Sequence, residues 1–330
     1  MLPWSIGGTG GGEVRGSDAT LVRPRFLHSA FFYDTDDAYS IALAAFVREG
    51  LARDEAVAVV SGRDHTGLLR DALGEDATEV RFLPAEDWYV RPVRTIAGWA
   101  HLLKATTASG RSGTRLVGHA PFTQGLQSWV RFESALNRSL DGLPGHLLCP
   151  YDRGALPDDA VLGAGRTHPR LHDGGDWVDS TGYESPEQLL IEVPEPPYPV
   201  AGEPIIAVPV TEAVADLRAQ VRGRADAEGW LSPDRVENLV LALTEVATNG
   251  VRHGGEHREL RVWLTDTAVV CEVTDDGRVP PGPLAGYLPP RPGMIGGMGL
   301  WLVQQLCDAM AIHSADGVTR ARFALRRDLP

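Results

Sequence analysis

The stretch LVLALTEVATNGVRHGG, residues 239–255, decides the fold of the second half of this 330-residue chain. Its apolar residues recur every three or four positions, which predicts a helix with one face turned toward a core. Glu245, Asn249 and His253 lie four residues apart and share another face. A carboxylate and an amide one turn apart can activate a hydroxyl and hold a hard cation. The same pair also occurs on ordinary solvated helices, so the spacing alone does not assign a function.

Two glycine-containing motifs follow this helix. Asp275 ends a predicted strand in the run VTDDGR, where a buried carboxylate can accept a hydrogen bond from an exocyclic amine such as that of adenine. Gly277 allows the backbone to approach closely beside it. The run GGMGL, residues 296–300, begins another predicted helix, whose free N–H groups and dipole favour phosphate oxygens. Each motif is common by itself, so their order along the chain carries the interpretation.

Residues 205–330 are predicted to form one α+β domain. A short strand at 205–210 precedes a helix at 211–228, and Ser232 with Pro233 begins the helix that carries residues 239–255. Gly254 and Gly255 are expected to end that helix in the left-handed conformation. A hairpin, a long Pro- and Gly-rich loop, a helix and two final strands complete the domain.

In this order, TEVATNGVRHGG, VTDDGR and GGMGLWLV resemble the three nucleotide-binding boxes of the Bergerat-fold ATPases, the superfamily of gyrase and the histidine kinases. The compact form, with one helix before the Asn-bearing helix, is most similar to bacterial anti-sigma factor serine/threonine kinases. The resemblance implies ATP and Mg²⁺ as cofactors, Glu245 as the general base and Asn249 as the magnesium ligand. The implied cofactor-binding residues are Asn249, Asp275, Gly277, Gly297, Gly299 and Leu300.

Two positions near these boxes need separate interpretation. The family often has a second glycine after the DxG motif, where this chain has Val279, so lid mobility or packing beside adenine is expected to differ. His253 is better explained as a partial positive charge at a helix C-terminus than as a phosphate contact. Such a charge stabilises a helix by about 0.3 to 1 kcal/mol.

Residues 21–182 alternate short apolar runs with helical stretches, which predicts a three-layer α/β domain with a mostly parallel sheet. Such sheets bind ligands at the carboxyl ends of their strands. The residues expected in a sensory pocket there are Tyr33, Asp34, Ser61, His119, Tyr151 and Asp152. The loop after the first strand, YDTDDAYS, lacks the lysine of a phosphate loop, so nucleotide hydrolysis is not expected in this domain.

A metal site in this half is not favoured by the sequence. His119, Cys149 and His168 are candidate ligands by residue type, but they lie far apart and lack the close ligand pairs of structural zinc sites.

The run HSAFFYDTDDAYSIALAAFVREGL, the FESALN segment with Glu133 and Asn137, and CPYD followed by THPRL resemble the MEDS sensory domain of methanogen and methylotroph regulators. The resemblance implies a fold similar to RecA- and KaiC-type ATPases with a degenerate phosphate loop. It also implies that the domain senses a signal, without identifying that signal.

The remaining segments and the composition set further limits. Residues 1–20 are predicted to be a flexible tail, and the Pro-rich residues 183–204 an extended linker. The formal net charge of -13 argues against direct binding to nucleic acid. Three dispersed cysteines suggest no disulfide framework, and neither a signal peptide nor a membrane-spanning run is present in the sequence, so a cytoplasmic protein is expected.

The favoured hypothesis is a signal-responsive kinase that binds Mg-ATP, phosphorylates a serine or threonine of an anti-sigma antagonist and regulates transcription through a sigma factor. One alternative is a non-catalytic, nucleotide-dependent switch that sequesters a partner. A sensor histidine kinase is disfavoured because residues 211–228 contain no phosphoacceptor histidine. The sequence is compatible with a homodimer but does not require one.

Overall fold

The computed structural model describes residues 26–121, 125–172, 175–277, 281–289 and 297–327. The predicted tail, Val279 and Gly296 lie outside these ranges. The described chain contains two sheets, mostly parallel in the N-terminal half and antiparallel in the C-terminal half, which confirms the predicted two-domain layout. The similarity to RecA and KaiC stays a prediction. Within the described ranges, no helix combines the length and the apolar character needed to cross a membrane.

The N-terminal sheet has the strand order β3-β2-β4-β5-β1-β6-β7, and only the short β7 runs antiparallel to its neighbour. Its strands are rich in apolar residues on both faces, as expected for a sheet covered on both sides. The strands are β1 Phe26–Tyr33, β2 Glu55–Ser61, β3 Arg81–Pro84, β4 Gly113–Gly118, β5 Gly145–Asp152, β6 Arg170–His172 and β7 Trp177–Asp179.

The helices of this domain form two layers, and each layer packs on one face of the sheet through its own hydrophobic cluster. The first two helices pack on one face of the sheet, and the remaining helices pack on the other. Successive residues of β1 contribute to opposite clusters, because side chains alternate along a strand. The helices are α1 Asp36–Ala52, α2 Arg63–Leu73, α3 Ala85–Trp88, α4 Pro92–Ser109, α5 Leu126–Ser139 and α6 Asp158–Thr167, and a 3-10 helix spans Gly74–Glu79.

Residues 183–204 are not extended throughout. Pro186 begins a seven-residue helix, α7 Pro186–Glu192, and Ser185 caps it by accepting from the Gln188 N–H. The prediction of a fully extended linker was therefore wrong for this part, because a proline at the first helical position loses no helical hydrogen bond. The later prolines lie in a segment without regular structure. Tyr198 in that segment packs against Trp263 and neighbouring apolar residues on the second face of the C-terminal sheet.

The C-terminal domain places three helices on one face of its antiparallel sheet, whose strand order is β11-β12-β10-β9-β8. Asp316 and Gly317 both have positive φ and form the tight turn between the last two strands. The elements are β8 Ile206–Pro209, α8 Val214–Ala227, α9 Pro233–His253, β9 Arg258–Leu264, β10 Ala268–Asp275, α10 Met298–Leu306, β11 Ala309–Ala315 and β12 Val318–Arg326.

The central helix of this domain, α9, contains residues 239–253 of the run LVLALTEVATNGVRHGG. Pro233 occupies its first turn, and its apolar face is buried against the sheet. Gly254 follows the helix, but its φ of -75° is not left-handed, so the predicted reason for this glycine was wrong. A Cβ at position 254 would instead lie 2.9 Å from the Asp275 side chain. The glycine is therefore needed for close approach of the helix end to β10.

A partly buried arginine joins the two domains. Arg91, which precedes α4, donates hydrogen bonds of 2.9 and 3.1 Å to the carbonyl oxygens of Gln305 and Leu306 at the end of α10. Its second terminal nitrogen lies 2.7 Å from Asp308 Oδ1. The N-terminal domain thus supplies the cation that caps the C-terminus of α10, where helix carbonyls otherwise lack partners.

Replacing Arg91 with methionine is expected to lower the free energy of unfolding by about 2 kcal/mol, because a charged hydrogen-bond donor with little solvent exposure is lost. Urea-induced unfolding measures this change. Arg111→Met is the matched control, since Arg111 pairs with Asp54 on the surface and its loss should cost less than about 0.5 kcal/mol. Equal losses in the two variants would contradict the assigned role of Arg91.

Candidate functional site

The polar face of α9 meets the first turn of α10. A Cβ at Gly299 would lie 2.7 Å from Glu245 Oε2 and 3.3 Å from Asn249 Nδ2. Both side chains therefore lie beside the same backbone segment, and a side chain at position 299 would displace the Glu245 carboxylate from it. The helical spacing of Glu245 and Asn249 brings a carboxylate and an amide to one helix N-terminus.

The N-terminus of α10 is a region of free backbone donors. Gly297 precedes the helix in the left-handed conformation, with φ of 79°, and among the described residues no side chain caps the helix by a hydrogen bond. The first-turn N–H groups of a helix lack intrahelical partners, and the helix dipole adds positive potential there. This end of α10 can therefore bind phosphate oxygens.

Asp275 lies on the other side of the same cleft. It ends β10, and its Oδ1 accepts a 2.9 Å hydrogen bond from the Gly277 N–H. A Cβ at Gly277 would lie 2.7 Å from that carboxylate oxygen. Asp275 lines the cavity, and Gly277 does not. The hydrogen bond from the Gly277 N–H orients the Asp275 carboxylate.

The cleft between these groups has a volume of about 660 Å³ and lies between α9, β10, β12 and α10. This volume is suitable for a ligand as large as a nucleotide. Of the residues predicted from sequence, the structure brings Asn249, Asp275, Gly297, Gly299 and Leu300 to its lining. Glu245 lies beside it through the close approach at Gly299.

Sequence reasoning missed the part of the lining that comes from the last strand. Thr319 is directly opposite Asp275 in the β10–β12 pair and lines the cleft next to it. Arg252 and His253 also line the cleft, and the interpretation of His253 as a helix-end charge stays a prediction. A strand pairing cannot be read from local motifs, which explains why Thr319 was not found.

The segment 281–289, which follows the DxG motif, covers one side of the cleft and also contacts the N-terminal domain. Leu284 and Tyr287 are buried within the hydrophobic cluster of that domain. Tyr287 donates a 3.4 Å hydrogen bond to Glu195 Oε2, and Arg131 of α5 lies 3.1 Å from the same oxygen. The lining of the cleft is therefore connected to the first domain through the partly buried carboxylate of Glu195.

A second cavity, of about 530 Å³, lies at the carboxyl ends of the parallel strands. Tyr33, His119 and Asp152 line it, as the sequence predicted, together with His65 and Gly62. The Tyr33 hydroxyl lies 3.2 Å from His65 Nε2 and 3.4 Å from His119 Nε2.

Burial determines the charge of this pocket. Desolvation, with a smaller contribution from His65, lowers the pKa of His119 to about 3, and desolvation raises the pKa of Tyr33. Both groups are therefore neutral near neutral pH. The pocket offers uncharged hydrogen-bonding groups to a small ligand, with the Asp152 carboxylate at its edge.

Three other predicted pocket residues do not line this cavity. Ser61 is buried and bonds to Thr66, with 2.7 Å between the hydroxyl oxygens, and Tyr151 is buried in the core. Asp34 is exposed, and its Oδ2 lies 3.6 Å from Nη1 of Arg153. Side chains alternate along a strand, so of two consecutive residues at a strand end only one can point toward the ligand edge.

Comparisons with known proteins agree with this two-part architecture. A family model described as MEDS, the MEthanogen/methylotroph, DcmR Sensory domain, matches residues 27–169. A second family model, described as Histidine kinase-like ATPase domain, matches residues 209–325. The cleft beside α9 therefore lies in an ATPase-like domain, and the second cavity lies in a sensory-type domain.

A curated relative is the Serine-protein kinase RsbW of Halalkalibacterium halodurans, which is 31% identical to this chain over 130 residues. The matched region is 36% of this chain and 80% of the relative. The chain thus belongs to the RsbW-type, histidine kinase-like ATPase family, and it carries a MEDS domain in addition.

His119→Asn is expected to reduce the acid sensitivity of the fold. A histidine whose folded pKa is below its unfolded value of about 6.5 contributes stability above that pH and loses it as the pH falls. The wild-type free energy of unfolding should therefore fall more between about pH 7 and about pH 5 than that of the variant, by up to about 2 kcal/mol. Urea unfolding at both pH values measures the difference, with the exposed His101→Asn as control. An unchanged pH dependence would contradict neutral burial of His119.

Proposed function

We propose that this protein binds Mg-ATP in the cleft beside α9 and transfers its γ-phosphoryl group to a serine or threonine hydroxyl of an anti-sigma antagonist. The same domain would bind a sigma factor and regulate transcription by sequestering it. The proposal extends to this chain the activity that the name of its relative states, serine-protein kinase.

One observation carries the proposal. Glu245 and Asn249 lie together against Gly299 at the N-terminus of α10, with Asp275 across the same cleft. This arrangement supports Glu245 as a general base, Asn249 as an oxygen donor for a cation and the free backbone N–H groups as phosphate ligands around one end of a nucleotide-sized cavity. The Asp275 carboxylate on the other side of the cleft can accept a hydrogen bond from the amino group of adenine.

The arrangement supports in-line phosphoryl transfer. The hydroxyl oxygen of the bound serine or threonine forms a bond to the γ-phosphorus while the bond to the β-phosphate oxygen breaks, and ADP leaves. Glu245 accepts the hydroxyl proton during this step. Because phosphoryl transfer depends mainly on positioning and charge neutralisation, this small set of groups is sufficient.

The residues present fit a magnesium ion. Mg²⁺ commonly keeps several waters and takes only one or two protein oxygens besides the phosphates, so the Asn249 side chain, which lines the cleft, is an adequate protein ligand. When bound, the ion neutralises charge that develops on the phosphate oxygens. Glu245 is adjacent and stays available as the base.

Contacts between the domains provide a route for a signal to reach the nucleotide. The segment 281–289 is packed into the N-terminal cluster, and Arg91 holds the other end of α10. Ligand binding in the cavity lined by Tyr33 and His119 would change nucleotide affinity if it favours a different packing of this segment. We propose that the MEDS domain acts on the kinase domain through these two contacts.

The second candidate function is a switch that sequesters its partner without phosphorylating it. The packing of 281–289 against the first domain favours it, because a lid fixed in this way can limit the movements that catalysis requires. The proposed departure at Val279 lies outside the described residues. A histidine kinase receives no support, since α8 contains no histidine to accept a phosphoryl group.

Asn249→Ala is expected to weaken Mg-ATP binding by roughly tenfold or more and to affect ATP binding in EDTA much less, because the lost oxygen acts through the metal. Isothermal titration calorimetry measures both affinities. Asn238→Ala, an equivalent substitution earlier on α9 and outside the cleft lining, should leave both unchanged. Equal loss with and without the metal would contradict the role of Asn249.

Glu245→Gln is expected to bind Mg-ATP but to lose phosphoryl transfer, because the amide keeps the shape of the side chain and cannot accept the proton. A candidate antagonist protein encoded near the gene is incubated with Mg-ATP, and its intact mass should rise by about 80 Da only with an active kinase. Glu237→Gln on the exposed side of the same helix is the control.

Two outcomes of the mass measurement oppose the kinase assignment in different ways. An unchanged mass with the wild-type chain, together with retained sigma binding, would indicate the sequestering switch. A full mass increase with Glu245→Gln would show that another group acts as the base.

A further inference from the structure

A cluster of polar side chains that lines neither of these two cavities is buried inside the N-terminal domain. It consists of His28 on β1, Glu133 on α5, Cys149 on β5 and His168 immediately after α6. Each of these residues is at most 3% exposed. Their ligand-type atoms all lie within 4.8 Å of one another. Buried groups of this kind are costly unless a proton network or a cation satisfies them.

The distances between these atoms match the edges of a tetrahedral coordination shell. Glu133 Oε2 lies 3.1 Å from His28 Nε2 and 3.5 Å from His168 Nε2, and Cys149 Sγ lies 3.4 Å from His28 Nε2. Two nitrogen or oxygen ligands at about 2.1 Å from a tetrahedral zinc ion are about 3.4 Å apart. A metal ion at the centre would therefore require little movement of the side chains.

The outer hydrogen bonds orient both imidazole rings toward the centre. His28 Nδ1 lies 3.2 Å from the side-chain oxygen of Asn137, whose amide nitrogen donates a 2.7 Å bond to the Thr167 carbonyl. His168 Nδ1 lies 2.9 Å from the Ala164 carbonyl oxygen, so it must be the donor. Each Nε2 therefore presents a lone pair to the cluster, as in metal-binding histidines held by second-shell acceptors.

Protein groups alone leave this arrangement unsatisfied. Both imidazole rings and the Glu133 carboxyl group are buried, so their polar atoms need partners inside the cluster. A proton on the carboxyl group could serve only one of the two nitrogen lone pairs. His168 Nε2 makes no hydrogen bond within the described residues. A cation at the centre would satisfy all four groups at once.

We propose that His28, Glu133, Cys149 and His168 bind one divalent transition-metal ion, and specifically Zn²⁺. Imidazole nitrogen, thiolate and carboxylate together in a tetrahedral geometry favour zinc. On binding, the Cys149 thiol releases its proton to solvent and the sulfur forms a bond to the metal. The ion then balances one thiolate and one carboxylate, so the filled site is formally neutral, which suits its burial.

Four protein ligands complete the coordination of zinc and leave no position for a substrate, so the site is structural. Its ligands come from two adjacent strands, the helix α5 and the end of α6. The metal therefore joins the sheet to the helical layer that also carries Arg131 and its contact with Glu195.

The test uses the full-length chain without a histidine tag, purified without chelators, and measures its metal content by inductively coupled plasma mass spectrometry. We expect about one zinc ion per chain, reduced at least roughly tenfold in Cys149→Ser and His168→Gln. Cys271→Ser is the matched control, because Cys271 is a buried free cysteine of the other domain. Its zinc content should equal that of the wild type.

A second measurement does not depend on the folding of any variant. Wild-type protein stripped of metal is titrated with Co²⁺, and a tetrahedral site with one thiolate should give intense visible bands and a sulfur-to-cobalt charge-transfer band that saturate at about one equivalent. Absence of zinc in the purified protein together with absence of these bands would overturn the proposal. Iron in place of zinc, or unchanged zinc in a folded Cys149→Ser variant, would also overturn it.

Discussion

The C-terminal site depends on the close approach of α9 and α10 at Gly299. A Cβ at this position would lie 2.7 Å from Glu245 Oε2, so a larger residue would displace the Glu245 carboxylate from the N-terminus of α10. The apolar face of α9 fixes one side of this contact by packing on the sheet. Arg91, from the other domain, fixes the far end of α10. Both domains therefore contribute to the position of the proposed phosphate site.

Site residues that interact with near neighbours in the sequence could be predicted, and site residues that come together from distant segments could not. Glu245 and Asn249 were predictable because helical spacing is local, and Asp275 because a strand and a glycine identify it within a few residues. Thr319 was not predictable, since it reaches Asp275 through the register of β10 and β12. The contact of Tyr287 with Glu195 likewise joins residues whose proximity no periodic pattern encodes.

The N-terminal domain shows the same limit in its sheet. Alternation of strands and helices predicted the parallel sheet and the edge at which a cavity lies. It did not predict which residue of each consecutive pair faces that cavity, because a shift of one residue reverses the face. Tyr151 thus lies in the core, while Asp152 reaches the cavity. The sequence did not favour Cys149 and His168 as metal ligands, because they lie far apart along the chain and come close to His28 only in the folded sheet.

The most direct test of the nucleotide site is a crystal structure of the full chain with Mn²⁺ and a non-hydrolysable ATP analogue. Mn²⁺ replaces Mg²⁺ at oxygen ligands and is located by its anomalous scattering. We expect the metal beside the Asn249 side chain, the phosphates at the N-terminus of α10 and the adenine amino group within hydrogen-bond distance of Asp275. Nucleotide bound outside this cleft, or metal without contact to Asn249, would contradict the account.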